Sequence, residues 1–285
     1  MPKTLPTKKM LTPVDQLIKK SWQEYCQRFT ELTPLALLPL FGMLLCALAA
    51  AGGLLIWYSG WVNNPWLLAV SGGLSLLVFM IGVWLCLAGP VSVYVALARK
   101  SKLALWQSFV EGGHYVGRWL MLSVAVLVML FGWSMLLIIP GIIFAIFYTV
   151  ANWALFFEGY EGFAALKRSR ELVKDYWFAV TGRLLLMVLL VTIASAAVNL
   201  VVYLILIISH QTQAVYLQIS RAWSDVFGLL ILPLALIYSK NIYLDLAKIK
   251  GKSKIKKNPR YWLIALWLLV GLIIFTLLVV WMAQA

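Results

Sequence analysis

The stretch WLMLSVAVLVMLFGWSMLLII, residues 119–139, decides the class of fold. It holds no charged side chain and reaches the roughly 20 residues that a helix needs to cross the hydrocarbon core of a bilayer. A second stretch of this kind is Tyr261–Met282. The whole chain is 63% hydrophobic and only 12% charged, whereas soluble domains are about 45–50% apolar and 25% charged. Such runs are too long for barrel strands, so the sequence predicts helices that cross a membrane.

The hydropathy pattern predicts an all-α, polytopic membrane protein with about seven transmembrane helices. Six of them form three hairpins, and a single span follows at the C-terminal end. The third and fourth spans meet at Pro140–Gly141, with barely a turn between them. The predicted spans are 34–58, 66–97, 119–139, 141–157, 177–208, 222–245 and 261–282.

The distribution of positive charge predicts the orientation of these spans. With the N-terminus in the cytoplasm, the inner segments are 1–33, 98–118, 158–183 and 240–260, and they contain 23 of the 24 Lys and Arg residues. Cytoplasmic loops are enriched in Lys and Arg, so we expect a cytoplasmic N-terminus and an external C-terminus in a bacterial cell membrane. We do not expect a cleaved signal peptide, because no small-residue cleavage site follows a short apolar region.

Three polar segments that precede span pairs resemble one another, which indicates an internal repeat. The segments LIKKSWQEYCQRF and ALKRSRELVKDYW align Ser21 with Ser169, and a weaker copy surrounds Ser108, where Gly112 and Gly113 disfavour a helix. Apolar and polar residues fall on opposite sides at helical spacing. We therefore predict amphipathic helices in the membrane interface at 14–29, near 102–116 and at 162–177. Their polar residues include Lys19, Lys20, Lys167 and Arg168.

These elements predict four segments. The first is a cytoplasmic segment, 1–33, that contains the helix 14–29. A transmembrane bundle of three hairpin units, 34–247, comes next, and a polybasic cytoplasmic linker, 248–260, follows it. The last segment is a C-terminal transmembrane helix, 261–285.

The segment IIPGIIFAIFYTVANWALFFEGYEGFAALKRSRELVKDYW carries a resemblance to a known family. Pro140 and Gly141 at the start of a span, Glu158 near its inner end, and the helix from Ala165 to Leu172 carry it. The match is best over about residues 134–190, and it resembles the membrane domain found beside bacterial glycerophosphoryl diester phosphodiesterases. In that family the catalysis resides in a separate soluble barrel. No soluble stretch here is long enough for a barrel, so the resemblance implies a membrane domain without phosphodiesterase activity.

Few polar residues lie within the predicted spans. Asn152 and Asn199 are candidates for a site inside the membrane, although such residues more often form hydrogen bonds between helices. Glu158 and Glu161 are expected to cap the basic helix that follows them. No arrangement of nucleophile, base or metal ligands is evident, so we predict no catalytic residue, no metal and no cofactor.

The polybasic linker is the strongest charge feature, and it predicts attraction to anionic lipid in addition to its effect on topology. Nucleic-acid binding is disfavoured because no stacking platform accompanies the charges. The first hypothesis is a non-enzymatic integral membrane protein that organises lipid or partner proteins on the cytoplasmic face. The alternative is a transporter for a lipid or a small neutral solute. The linker cations are Lys248, Lys250, Lys252, Lys254, Lys256, Lys257 and Arg260.

Overall fold

The structure is a computed structural model that describes residues 11–58, 65–99, 104–136, 138–208, 213–251, 253 and 255. Within these ranges the regular secondary structure is entirely helical. The elements in chain order are α1 (Val14–Tyr58), α2 (Pro65–Ala98), α3 (Leu105–Leu136), α4 (Ile138–Tyr148), α5 (Ala151–Glu158), α6 (Gly162–Val173), a 3₁₀ turn (Lys174–Tyr176), α7 (Trp177–Ile208) and α8 (Gln213–Lys250).

Helices cover six of the seven predicted spans, and each is long and apolar enough to cross a membrane. Large apolar side chains are exposed along these helices, and the most apolar window of the stretch Gly162–Ile205 has no buried residue. Water would make that exposure costly, whereas lipid tails cover it without cost. The fold is therefore that of a multi-pass membrane protein. The seventh predicted span, 261–282, lies outside the described residues.

The first predicted amphipathic helix is not a separate element. Residues 14–29 form the beginning of α1, which continues through Pro34 and Pro39 for 45 residues without a break. The segment near 102–116 likewise continues into the third span as α3. Only 162–177 remains distinct, as α6 and the 3₁₀ turn that leads into α7. Proline is tolerated inside α1 because neighbouring groups in a membrane bundle can satisfy the backbone carbonyl that it leaves free.

The chain divides into two compact units. Unit 1 is formed by Met1–Val116 and Phe178–Ile249, and unit 2 by Gly117–Trp177 and Lys250–Ala285.

In unit 1, α1 and α2 pack antiparallel around a contact between two glycines. A Cβ atom on Gly42 would lie 2.5 Å from the Gly82 carbonyl oxygen, and one on Gly82 would lie 2.7 Å from the Gly42 carbonyl oxygen. Both distances are too short for a real side chain, so glycine is required on each helix for this approach. Gly112 of α3 is needed for the same reason, because a Cβ there would collide with Ser92 of α2. This explains why α3 contains a residue that disfavours helix.

In unit 2, the hairpin predicted at Pro140–Gly141 forms between α3 and α4. Helix α4 begins at Ile138, three residues earlier than the predicted span 141–157, and Pro140 lies in its first turn, where its missing N–H costs nothing. A Cβ on Gly141 would collide with Ser134 of α3, so glycine permits the sharp return. The predicted span 141–157 is divided by a turn at Thr149–Val150 into α4 and α5.

Candidate functional site

A buried arginine, Arg168 of α6, organises the polar core of unit 2. Its side chain is only 2% exposed. The guanidinium donates from Nε and Nη2 to the Glu158 carboxylate at 3.0 and 3.1 Å, and from Nη1 to Glu171 at 3.2 Å. Nη2 also donates to the Gly251 carbonyl oxygen at 2.7 Å. A buried charge is tolerated only when it is paired in this way.

The local backbone explains how Glu158 reaches Arg168. Helix α5 ends at Glu158, and Gly159 follows in the left-handed conformation with φ 70°, which favours glycine. The chain then reverses, and α6 begins at Gly162. The prediction that Glu158 and Glu161 cap α6 is correct in position for Glu161 only. Glu161 occupies the N-cap position without a side-chain capping bond, and it pairs with Arg118 at 3.1 Å, while Glu158 pairs with Arg168.

The first residues of the polybasic linker dock onto α6. Helix α8 ends at Lys250, and Gly251 follows with φ 69°. Lys250 forms an ion pair with Asp175, and the Ser253 hydroxyl donates to Glu171 at 2.7 Å. Together with the Gly251 carbonyl on Arg168, these contacts fix the start of the linker on unit 2.

Unit 1 contains a second polar cluster, between α1 and α8. Lys240 is 7% exposed in its side chain and forms an ion pair with Glu24. Next to this pair, the Asn241 side-chain amide donates to the Ser21 hydroxyl at 3.1 Å. The Tyr25 hydroxyl donates to the Leu230 carbonyl at 2.9 Å, three residues before a proline in α8. Polar bonds therefore join these helices along several turns.

Arg28 and Arg183 extend the cluster of unit 1. Arg28 binds the Glu31 carboxylate with two hydrogen bonds, at 2.9 and 3.0 Å, and donates to the Ala96 carbonyl of α2 at 2.7 Å. Arg183 of α7 donates to the Thr12 carbonyl at 2.7 Å. Lys240 and Arg183 are both buried, so neither side chain extends into water.

A weak signal for this cluster is present in the sequence, although the separation of apolar and polar faces does not reveal it. Ser21, Glu24, Arg28 and Glu31 follow a spacing of three and four residues, which places them on one face of a helix. In the structure that face packs inward, and Arg28 and Glu31 are buried. Trp22 and Phe29, on another side of the helix, are exposed.

The serines of the predicted repeat share one property, because Ser21, Ser108 and Ser169 are all at most 1% exposed. The Ser169 hydroxyl donates to the Phe147 carbonyl at 2.6 Å, whereas the Ser108 hydroxyl has no hydrogen-bond partner in the described part of the chain. The apolar face predicted for α6 is correct, but its residues are buried within the protein and do not face lipid. The prediction that Arg168 faces water is also wrong.

The predicted lipid-binding and interfacial cations have different environments. Lys19, Lys20, Lys167 and Lys248 are exposed. Lys250 is half-buried in its pair with Asp175. The other linker cations, Lys252, Lys254, Lys256, Lys257 and Arg260, lie outside the described residues.

The two intramembrane asparagines lie in different units and were not predicted to form one site. The Asn199 amide donates to the Ser195 carbonyl one turn earlier on α7, at 2.9 Å. This is a bond within a single helix and creates no ligand site. Asn152 lies in α5 and is half-buried.

Most acidic side chains form ion pairs within the chain, whereas many basic side chains do not. Seven of the ten Asp and Glu residues pair with Arg or Lys of the same chain, most of them in the two clusters. The cations that stay exposed outside these pairs in the described ranges are Lys19, Lys20, Lys167, Arg170, Lys174, Arg221 and Lys248. Each unit therefore presents exposed basic side chains outside the ion pairs.

Within the described ranges, no group of three or more His, Cys, Asp and Glu side chains is arranged to hold a metal ion. Comparisons with protein-family models, with curated proteins and with solved structures find no match for this chain. The arrangement described above is that of a multi-pass helical membrane protein with two polar clusters and a basic surface.

Proposed function

We propose that this protein is a non-enzymatic integral membrane protein that retains anionic lipid at the cytoplasmic face of a bacterial cell membrane. The observation that carries the proposal is that most acidic side chains form ion pairs within the chain. Few acidic side chains therefore remain to neutralise the exposed lysines and arginines. The net charge of the chain is +14. A basic surface of this kind attracts anionic headgroups.

The magnitude of the attraction supports lipid retention. The linker holds seven cations within Lys248–Arg260, and each basic residue close to an anionic surface contributes about 1 kcal/mol before repulsion and screening. The described start of the linker docks on α6, and Lys167 and Arg170 of α6 and Lys174 of the following 3₁₀ turn are also exposed. The linker cations therefore start next to a surface of the same sign.

Replacing the seven linker cations with Gln is expected to abolish the preferential retention of anionic lipids. The purified protein would be analysed by native mass spectrometry after extraction with its lipids. Because the attraction acts through charge, higher salt should also weaken retention in the unmodified protein, since the screening length shortens to about 3 Å at 1 M salt.

The control for this experiment is the double variant Asn152→Gln and Asn199→Gln, which changes no charge and should keep the lipids. Retention of the same anionic lipids by the seven-fold Gln variant would show that the linker acts on topology only. The proposal would then be wrong.

We further propose that the N-terminus is cytoplasmic and the C-terminus external. Reporter fusions after residues 62, 110, 215 and 285 should report outside, inside, outside and outside, because this orientation places 23 of the 24 basic residues on the inner side. A cytoplasmic result after residue 285 would remove the seventh span from the topology. An external result after residue 110 would contradict the orientation itself.

We also propose that the chain is a distant relative of the membrane domain that accompanies bacterial glycerophosphoryl diester phosphodiesterases. Its support is the sequence around Pro140, Gly141 and Glu158 and the helix that contains Arg168. Two of the positions that carry the resemblance have structural roles in this chain. Gly141 permits the sharp return between α3 and α4, and Glu158 pairs with Arg168.

A further inference from the structure

Three cations form a stripe on α6 and the 3₁₀ turn after it. Lys167, Arg170 and Lys174 are separated by three and four residues, so they lie on one side of the helix, and all three are exposed. The acidic residues beside them on the same segment are Glu171 and Asp175. Glu171 is held by Arg168 and Ser253, and Asp175 by Lys250, so neither carboxylate neutralises the stripe.

Arg170 is held in place by aromatic rings of α4. Its Cζ atom lies 5.6 Å from the centre of the Phe144 ring and 5.9 Å from that of Phe147. Phe144 is itself stacked on Trp133 of α3, with ring centres 4.2 Å apart and planes 13° apart. The rings attract the cation through their faces. They also restrict the guanidinium, so that less side-chain entropy is lost when its edge binds a ligand.

We propose that Lys167, Arg170 and Lys174 bind the phosphate group of one anionic phospholipid. This inference rests on the proposed function, and it adds a discrete site to the diffuse attraction of the linker. The planar guanidinium of Arg170 matches two phosphate oxygens with parallel hydrogen bonds, and the two lysines supply positive charge on either side. Trp133, on which Phe144 is stacked, is of the residue type that is enriched at headgroup level.

The test uses the full-length protein in detergent with a defined mixture of phosphatidylglycerol and phosphatidylcholine. Native mass spectrometry at high salt should show one phosphatidylglycerol adduct, because a site with oriented hydrogen bonds is screened less than the flexible linker. Arg170→Gln should lower the affinity of that adduct by about tenfold, the effect of losing one charge-assisted hydrogen bond. Arg170→Lys should restore it only in part, because an ammonium group cannot form the paired bonds.

Two further variants separate binding from folding. Lys167→Gln combined with Lys174→Gln leaves the contact between Arg170 and the rings intact, and it should also weaken the adduct. Arg221→Gln removes an exposed charge of α8 and should leave the adduct unchanged. All variants should elute as the unmodified protein does in size-exclusion chromatography. The proposal would be overturned if Arg170→Gln, the double variant Lys167→Gln and Lys174→Gln, and Arg221→Gln all retained the phosphatidylglycerol adduct to the same extent.

The experiment also identifies the source of the phosphate and distinguishes the two proposals. Millimolar inorganic phosphate should not displace the phosphatidylglycerol adduct, and displacement would show that the stripe binds soluble phosphate instead of lipid. The seven-fold Gln linker variant should lose its salt-sensitive lipids and keep the single salt-resistant adduct. Loss of that adduct only in the linker variant would overturn the α6 site while leaving the proposed function intact.

Discussion

Replacing Arg168 with alanine is expected to destabilise the protein by about 3–5 kcal/mol, the cost of removing one partner of a buried ion pair. The change removes the arginine from the carboxylate of Glu158, and it also removes the hydrogen bond to Gly251 that holds the start of the linker. Thermal unfolding in detergent, followed by circular dichroism, would measure the loss. We also expect protease cleavage after Lys250 to become faster, because the linker would no longer be docked.

Arg99→Ala is the matched control for Arg168→Ala. Arg99 also pairs with a glutamate, Glu111, at 2.7 Å, but its side chain is 53% exposed. An exposed pair contributes about 0–1 kcal/mol. The double variant Arg168→Met and Glu158→Gln should recover part of the stability, because it removes the charge of Glu158 together with that of Arg168. Equal destabilisation by Arg168→Ala and Arg99→Ala would contradict the central role of Arg168.

The glycine contact between α1 and α2 gives the second large expected effect. Gly42→Ala should destabilise unit 1 by about 1–3 kcal/mol, the usual cost of inserting atoms into a packed interior. The new Cβ would meet the backbone oxygen of Gly82 at 2.5 Å and the Cys86 backbone nitrogen at 2.9 Å. Backbone atoms cannot rotate away as a side chain can, so the helices must separate. Thermal unfolding in detergent would measure the effect.

Gly53→Ala is the control for this prediction, because Gly53 lies on the same helix and a Cβ there would have nothing within 4 Å. Alanine favours helix over glycine by up to about 1 kcal/mol. The control should therefore be neutral or stabilising. Gly82→Ala should resemble Gly42→Ala, since the contact is reciprocal. A neutral Gly42→Ala variant would show that the two helices are not in close contact at this position.

The positions of the helices could be predicted from the sequence because they depend on local composition. A run such as 119–139 leaves few alternatives in lipid, where every backbone group must be satisfied within its own segment. The ends of α1 could not be predicted in the same way. Pro34 was expected to mark a boundary, but a proline inside a membrane bundle does not end a helix when neighbouring groups satisfy its free carbonyl.

The polar clusters could not be predicted because their partners are distant in the sequence. Glu24 and Lys240 are 216 residues apart, and Arg168 and Gly251 are 83 apart. Helical periodicity sorts residues by polarity and therefore assigned Arg168 to water. A charge can lie on the packed face only when a partner from another element meets it. Glu158 was visible in the sequence, but only the turn at Gly159 shows that it faces back toward α6.

The unbroken length of α1 has a mechanical consequence. Its 45 residues extend about 68 Å at a rise of about 1.5 Å per residue, more than twice the roughly 30 Å of hydrocarbon that it crosses. Pro34 and Pro39 can bend α1, but the helix continues through both of them. Helices tilt when the bilayer becomes thinner, and a tilt of about 10° moves the end of a roughly 30 Å arm sideways by about 5 Å. Such a tilt would also move Lys19 and Lys20 sideways, because both lie near the start of α1.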